Sequence, residues 1–111
     1  MAYDEHLAGR IRAILRDRHD LSERKMFGGL AFLLGGHMAV AADSRFGLMV
    51  RCDPDATPEL CDAPGVDAVE MRGRTMRGWI HVAPEQLVDD LELAAWVDVG
   101  AEYAAGLPPK S

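Results

Sequence analysis

The sequence predicts an α+β domain in two layers, with an antiparallel sheet of about five strands and the N- and C-terminal helices on one face. Apolar residues recur at helical spacing near both ends of the chain. The middle consists of short apolar segments separated by glycine-containing or polar turns, and the last of these segments alternates in polarity. The expected order is α-β-β-β-α-β-β-α, because helices with a single apolar stripe pack on one face of such a sheet.

Each terminal helix has an apolar stripe, a candidate N-cap and a termination signal. Asp4 is the candidate N-cap of the first helix, which ends near the polar residues 17–20. Asp90 is the candidate for the second, which Gly106 and Pro108-Pro109 end. The stripe residues are Leu7, Ile11, Ile14 and Leu15 in the first helix and Leu93, Trp96, Val97, Gly100, Ala104 and Leu107 in the second.

Three strands follow the first helix, at residues 25–34, 37–42 and 47–52. Gly35-Gly36 is a two-residue turn that can adopt positive φ, and residues 43–46 form a second polar turn. The middle of the chain is therefore predicted to be an antiparallel meander.

A short helix and a final hairpin complete the predicted fold. Residues 53–64 contain prolines near both ends and are predicted to hold the short helix. The strands at residues 67–71 and 74–82 flank Arg72-Gly73, a candidate hairpin turn, and Gly78 indicates a bulge or close packing.

Alternation along the strands predicts one core face and one open face. Ile80 and Val82 share a side of the last strand, as Leu48 and Val50 do in the third, and these sides are predicted to be core. The opposite sides mix apolar bulk with cations, which suits a half-exposed binding surface. We expect this surface to comprise Phe32, Met49, Arg51, Arg77, Trp79 and His81.

Length and charge limit the function classes. The 111 residues suit a single domain spanning 1–111, and the formal net charge of −6 argues against direct nucleic-acid binding. No apolar segment approaches the roughly 20 residues that span a membrane, and the N-terminus does not resemble a secretory signal. We therefore expect a cytoplasmic protein whose two cysteines are free thiols, one of them packed as a small hydrophobic residue.

The sequence contains no catalytic, cofactor or metal-binding motif. It lacks CxxC, HxH and HExxH, and neither Gly28-Gly29 nor Gly35-Gly36 belongs to a phosphate-binding pattern. We expect no enzyme activity, no metal and no cofactor. One alternative stays open, a small-ligand or metal-dependent activity that would use His37, His81, Cys52 and Cys61.

Two further groups of side chains allow two interpretations each. Arg72, Arg74 and Arg77 are either hairpin charges, solvated or paired with the acidic C-terminal helix, or a nucleic-acid contact. The methionines of the strands are either adaptable core residues or, at Met49 together with Leu30, Phe32 and Trp79, a pliable apolar face for a partner. These methionines are Met26, Met38, Met49, Met71 and Met76.

Six segments of the chain match a known family in their order and spacing. The segments are 26–33 (MFGGLAFL), 36–38 (GHM), 48–51 (LMVR), 71–79 (MRGRTMRGW), 96–97 (WV) and 107–110 (LPPK). Together they resemble the TfoX N-terminal domain. The resemblance implies a two-layer α/β unit with an antiparallel sheet and no catalytic residues. The best-known members of that family regulate natural competence and are thought to assist a cyclic-AMP-responsive transcription activator. By this resemblance we expect an interaction module that binds a protein partner or a second copy of itself.

Overall fold

The computed structural model describes residues 4–26, 28–43 and 47–108, and of Met71 the backbone alone. Two helices and six strands dominate these ranges. The elements are α1 (Glu5–Leu15), β1 (Leu21–Met26), β2 (Gly29–Leu34), β3 (His37–Ala42), β4 (Leu48–Arg51), a 3-10 helix (Pro54–Ala56), α2 (Thr57–Leu60), β5 (Val66–Met71), β6 (Arg74–Val82), a second 3-10 helix (Pro84–Gln86) and α3 (Asp90–Ala105).

The strands form one antiparallel sheet in the order β1-β2-β3-β4-β6-β5, which confirms the α+β prediction. The sheet has six strands rather than about five, because residues 25–34 divide between β1 and β2. Gly28 has a φ of 75° in the connection, and Met26 pairs with Gly29. Most of β1 was missed because its middle residues, Ser22 to Lys25, are all polar and exposed on this edge strand.

Both predicted glycine hairpins are confirmed. Gly35 and Gly36 have φ of 60° and 86°, and Arg72 and Gly73 have φ of 53° and 77°, so each pair lies in the left-handed region that type I′ turns require. Residues 44–46 of the predicted second turn and Pro109 lie outside the described residues.

The helices pack on one face of the sheet and bury its main core. Asp4 caps α1 as predicted, accepting hydrogen bonds from the backbone N–H groups of His6 and Leu7. The N-cap of α3 is Asp89 rather than Asp90, and Asp90 instead pairs with Arg10 at 2.7 Å. None of the helices in the described ranges is long and apolar enough to cross a membrane. The largest fully buried core residues are Phe32, Ile11, Leu15, Leu34, Leu48, Ile80 and Leu93.

The prediction that Phe32 belongs to the open face is wrong. Phe32 is 0% exposed and lies with Leu30 in the core under the helices. The alternation that assigned faces in β4 and β6 has no counterpart in β2, whose six residues are all buried. Without polar residues on one side, the pattern of this central strand could not distinguish its two faces.

Helix α3 approaches the sheet closely at Gly100. A Cβ atom at this position would lie against the carbonyl oxygen of Ala39 and 2.8 Å from Cγ1 of Val40. Gly9 in α1 is the opposite case, since a Cβ there would meet nothing within 4 Å. The same residue type therefore has a packing role in one helix and none in the other.

We predict that Gly100→Ala lowers the free energy of unfolding by about 1–3 kcal/mol, because overpacking forces α3 away from β3. Gly9→Ala should raise it by about 0.5–1 kcal/mol, because alanine suits a helix interior better than glycine. Urea denaturation followed by circular dichroism measures both. A stabilising effect of Gly100→Ala would contradict the close approach of α3 to the sheet.

Candidate functional site: the open sheet face

The side of the sheet opposite α1 and α3, here called the open face, has an apolar cluster of its own. Ala31, Leu33 and Ala41 are buried at its centre, between 0% and 7% exposed. Met26, Met38 and Met49 are partly buried and pack against this centre. These six residues, the methionine cluster, all come from strands β1 to β4, whereas the core on the other side is built jointly by helices and strands.

The composition of this cluster explains how a face without helix residues can be apolar. The central positions are mostly alanine, and the long unbranched methionine side chains around them are flexible enough to lie over small neighbours. Half-buried methionines can also repack around an incoming apolar group. Three of the predicted methionines thus lie in this cluster, and Met49 is the one that was assigned to a pliable apolar face. Met76 is partly buried on β6, and the side chain of Met71 is outside the description.

An ordered cation borders the methionine cluster at the end of β4. Arg51 pairs in register with Trp79 of β6, so the two side chains share a face. The Cζ atom of Arg51 lies 5.5 Å from the ring centroid of Trp79 and 5.6 Å from that of Tyr103 in α3. Both distances are within the range of cation–π attraction. The prediction placed Arg51 and Trp79 together, but missed Tyr103, which is remote in sequence.

A histidine and a carboxylate meet beside Met49. His81 pairs in register with Met49, and its Nε2 lies 2.7 Å from Oδ2 of Asp43, with both side chains at most 15% exposed. Oδ1 of Asp43 accepts a hydrogen bond from the backbone N–H of Gly47. A Cβ at Gly47 would lie within 2.7 Å of the His81 ring and of the Val82 carbonyl oxygen. The roles of Asp43 and Gly47 escaped prediction because the sequence indicated only a turn at Asp43 and the start of a strand at Gly47.

The hairpin arginines differ in their surroundings. Arg77 extends from β6 to the first 3-10 helix, where its Nη2 lies 3.1 Å from Oδ1 of Asp55. This is the predicted paired-charge alternative, although the partner is not in the C-terminal helix. Arg72 and Arg74 are exposed at the turn between β5 and β6. Both ends of the Arg77 ion pair are also largely exposed, so the pair contributes little to stability.

Three of the four residues of the alternative activity, His37, His81 and Cys52, contact separate local partners. Nε2 of His37 contacts the carbonyl oxygen of Pro108, and Sγ of Cys52 lies 3.5 Å from Oγ1 of Thr57. Both cysteines are free thiols and Cys52 is buried, as predicted. In the part of the chain that the structure describes, no three His, Cys, Asp or Glu side chains form a group able to hold a metal ion.

The environment of Cys61 disfavours a thiolate. Burial raises the pKa of this thiol, and the nearby charges of Asp67 and Asp62, together with the Cys52 thiol, raise it further. Only the thiolate is a strong nucleophile, so a raised pKa lowers its reactive fraction at neutral pH. A raised pKa is typical of structural rather than reactive cysteines.

The fold and the site define a small α+β domain in which one sheet face is covered by helices and the other carries an apolar cluster with an ordered cation beside it. Comparison with known families finds a match to the TfoX N-terminal domain over residues 13–104. The chain belongs to this family, which confirms the resemblance seen in its segments. Membership suggests a competence-related regulatory role. No curated protein matches the chain.

We predict that iodoacetamide alkylates Cys61 more slowly at neutral pH than it alkylates a cysteine in an unstructured peptide. The rate should increase as the pH rises through the raised pKa of the thiol, because the thiolate fraction grows there. Peptide mapping by mass spectrometry separates Cys61 from Cys52, and alkylation in urea supplies the unfolded reference. A native rate at neutral pH equal to the reference rate would contradict the assignment.

Proposed function

We propose that this protein is a non-enzymatic interaction module that acts in transcriptional or competence-related regulation by binding a partner protein through the open face. The observation that carries the proposal is the methionine cluster, a second apolar centre built from strand residues. Family membership supports the regulatory context. The proposed contact residues are Met26, Met38, Met49, Arg51, Trp79 and His81.

The chemistry of the open face suits a protein ligand. The methionine side chains offer apolar area that adapts to the shape of a partner. Arg51 is held against Trp79 and Tyr103, so less of its side-chain freedom is lost on binding. Arginine and tryptophan are also the residue types most enriched at the energetic centres of interfaces. A partner with apolar side chains and a neighbouring acceptor group would match this surface.

Two further observations support a binding role in the cytoplasm. The raised pKa of Cys61 lowers the thiolate fraction of this half-buried residue at neutral pH, and Cys52 is buried. Two free thiols are also typical of a reducing compartment. The proposal therefore assigns the protein no catalytic step.

We predict that the double change Met38→Gln and Met49→Gln weakens partner binding about tenfold, because polar amides replace two apolar contact groups of similar length. Tagged variants are expressed in the native cell and captured, and the co-purified proteins are quantified by mass spectrometry. Met76→Gln is the matched control, since Met76 is a partly buried methionine outside the methionine cluster. Circular dichroism shows that each variant is folded.

The same capture separates the competing functions. Arg72→Ser with Arg74→Ser removes exposed cations at the hairpin turn and should leave the captured proteins unchanged. Loss of co-purified nucleic acid in that variant would favour the nucleic-acid alternative. Light scattering at high micromolar concentration tests self-association, and a dimer that Met49→Gln abolishes would make a second copy the partner. Unchanged capture by the double methionine variant would contradict the proposal.

A further inference from the structure

A second apolar surface lies on the opposite layer of the molecule, between α2 and the outer side of α3. It is a groove of about 470 Å³. Leu91, Ala95 and Val99 recur at helical spacing along α3, so they form a stripe next to the core stripe of this helix. The lining consists of Leu60, Leu91, Ala95, Trp96 and Val99, with Asp89 and Glu92 at the edge.

Leu91 is the most exposed part of this groove. Its exposed fraction is 81%, so its side chain gains almost nothing from burial in the isolated domain. A single exposed leucine is ordinary on a protein surface. Here it continues a strip that includes Trp96, which is 9% exposed, and Leu60, which packs against the main core. A continuous apolar strip of this kind is typical of a binding groove.

The two charged residues that line the groove, Asp89 and Glu92, are both acidic. Its walls come from two segments, residues 53–70 and 85–102, each with six acids and no lysine or arginine. Together they hold twelve of the eighteen acids, which leaves six acids beside all twelve lysines and arginines in the rest of the chain. Only Asp55 and Asp90 of these twelve acids form an ion pair among the described residues. The groove is therefore lined by two acids and no base, and it lies in a part of the sequence that is richer in acids than the net charge of −6 indicates.

We propose that this groove binds a basic amphipathic helix of another protein. Apolar side chains of that helix, spaced by three or four residues, would lie along Leu91, Ala95 and Val99, and its lysines or arginines would face the acidic edge. Helix-in-groove recognition uses this spacing, and complementary charge steers the approach and excludes acidic segments. The same charge repels nucleic acid and anionic membranes. The site is independent of the open face, because the sheet lies between them.

The test uses a synthetic probe and an intrinsic reporter. The chain has two tryptophans, so Trp79→Phe leaves Trp96 in the groove as the only one. The probe is a helical peptide of about 18 residues, or five turns, with leucines on one stripe and lysines beside it. A second peptide has glutamate in place of lysine. Titrations follow the fluorescence of Trp96 at low and at moderate salt.

The lysine peptide should bind with a Kd in the micromolar range, more weakly at higher salt, and the glutamate peptide should not bind. Leu91→Asn should weaken binding at least about tenfold. Val88→Asn is the matched control, because Val88 is 80% exposed and lies outside this groove. Binding should also survive Met38→Gln with Met49→Gln, which distinguishes this proposal from the open face.

Three results of these titrations would overturn the inference. These are the absence of a Trp96 response up to about 1 mM peptide, equal affinity for the lysine and glutamate peptides, and equal affinity of the wild type and Leu91→Asn. A dimer seen by light scattering that Leu91→Asn dissociates would also overturn it, because the groove would then hold a second copy of this chain.

Discussion

The close contact between α3 and the centre of the sheet is the constraint on which the rest of the structure depends. Gly100 lets the helix backbone approach Ala39 and Val40. This approach brings Trp96, Val97 and the other stripe residues into the core on one face. Both long helices, α1 and α3, pack on that face of the sheet. The surface of the open face therefore consists of strand side chains. The methionine cluster is the consequence of covering the sheet from one side.

Elements that a few neighbouring residues determine, such as the glycine turns, could be predicted from the sequence. Features that depend on packing between distant segments could not. Gly35-Gly36 and Arg72-Gly73 each form a two-residue turn with positive φ. Glycine in such a dipeptide is a local signal for this turn type, so both turns could be predicted. Strand β1 is a polar edge strand whose sequence shows no alternation of apolar and polar residues. Its strand conformation follows from its pairing with β2, which the sequence does not reveal. Phe32 was placed on the wrong face because its strand is apolar on both sides.

The same distinction holds for the two binding surfaces. Alternation in β4 and β6 correctly brought Met49, Arg51 and Trp79 together, since register follows from pairing of neighbouring strands. Tyr103 joined Arg51 only through the packing of α3, and Asp43 joined His81 across strands. The groove along Leu91 could not be predicted from the sequence either, because it forms only where α2 and α3 are adjacent in space.

The two surfaces differ in charge, with an ordered arginine beside the open face and two acids at the edge of the groove. One domain could thus join two partners, and the open face carries the central claim. Methyl NMR of methionine-labelled protein, titrated with the protein captured from the native cell, tests it most directly. The methyl signals of Met26, Met38 and Met49 should shift and that of Met76 should not. A shift of Met76 alone, or of none of the four, would contradict the account.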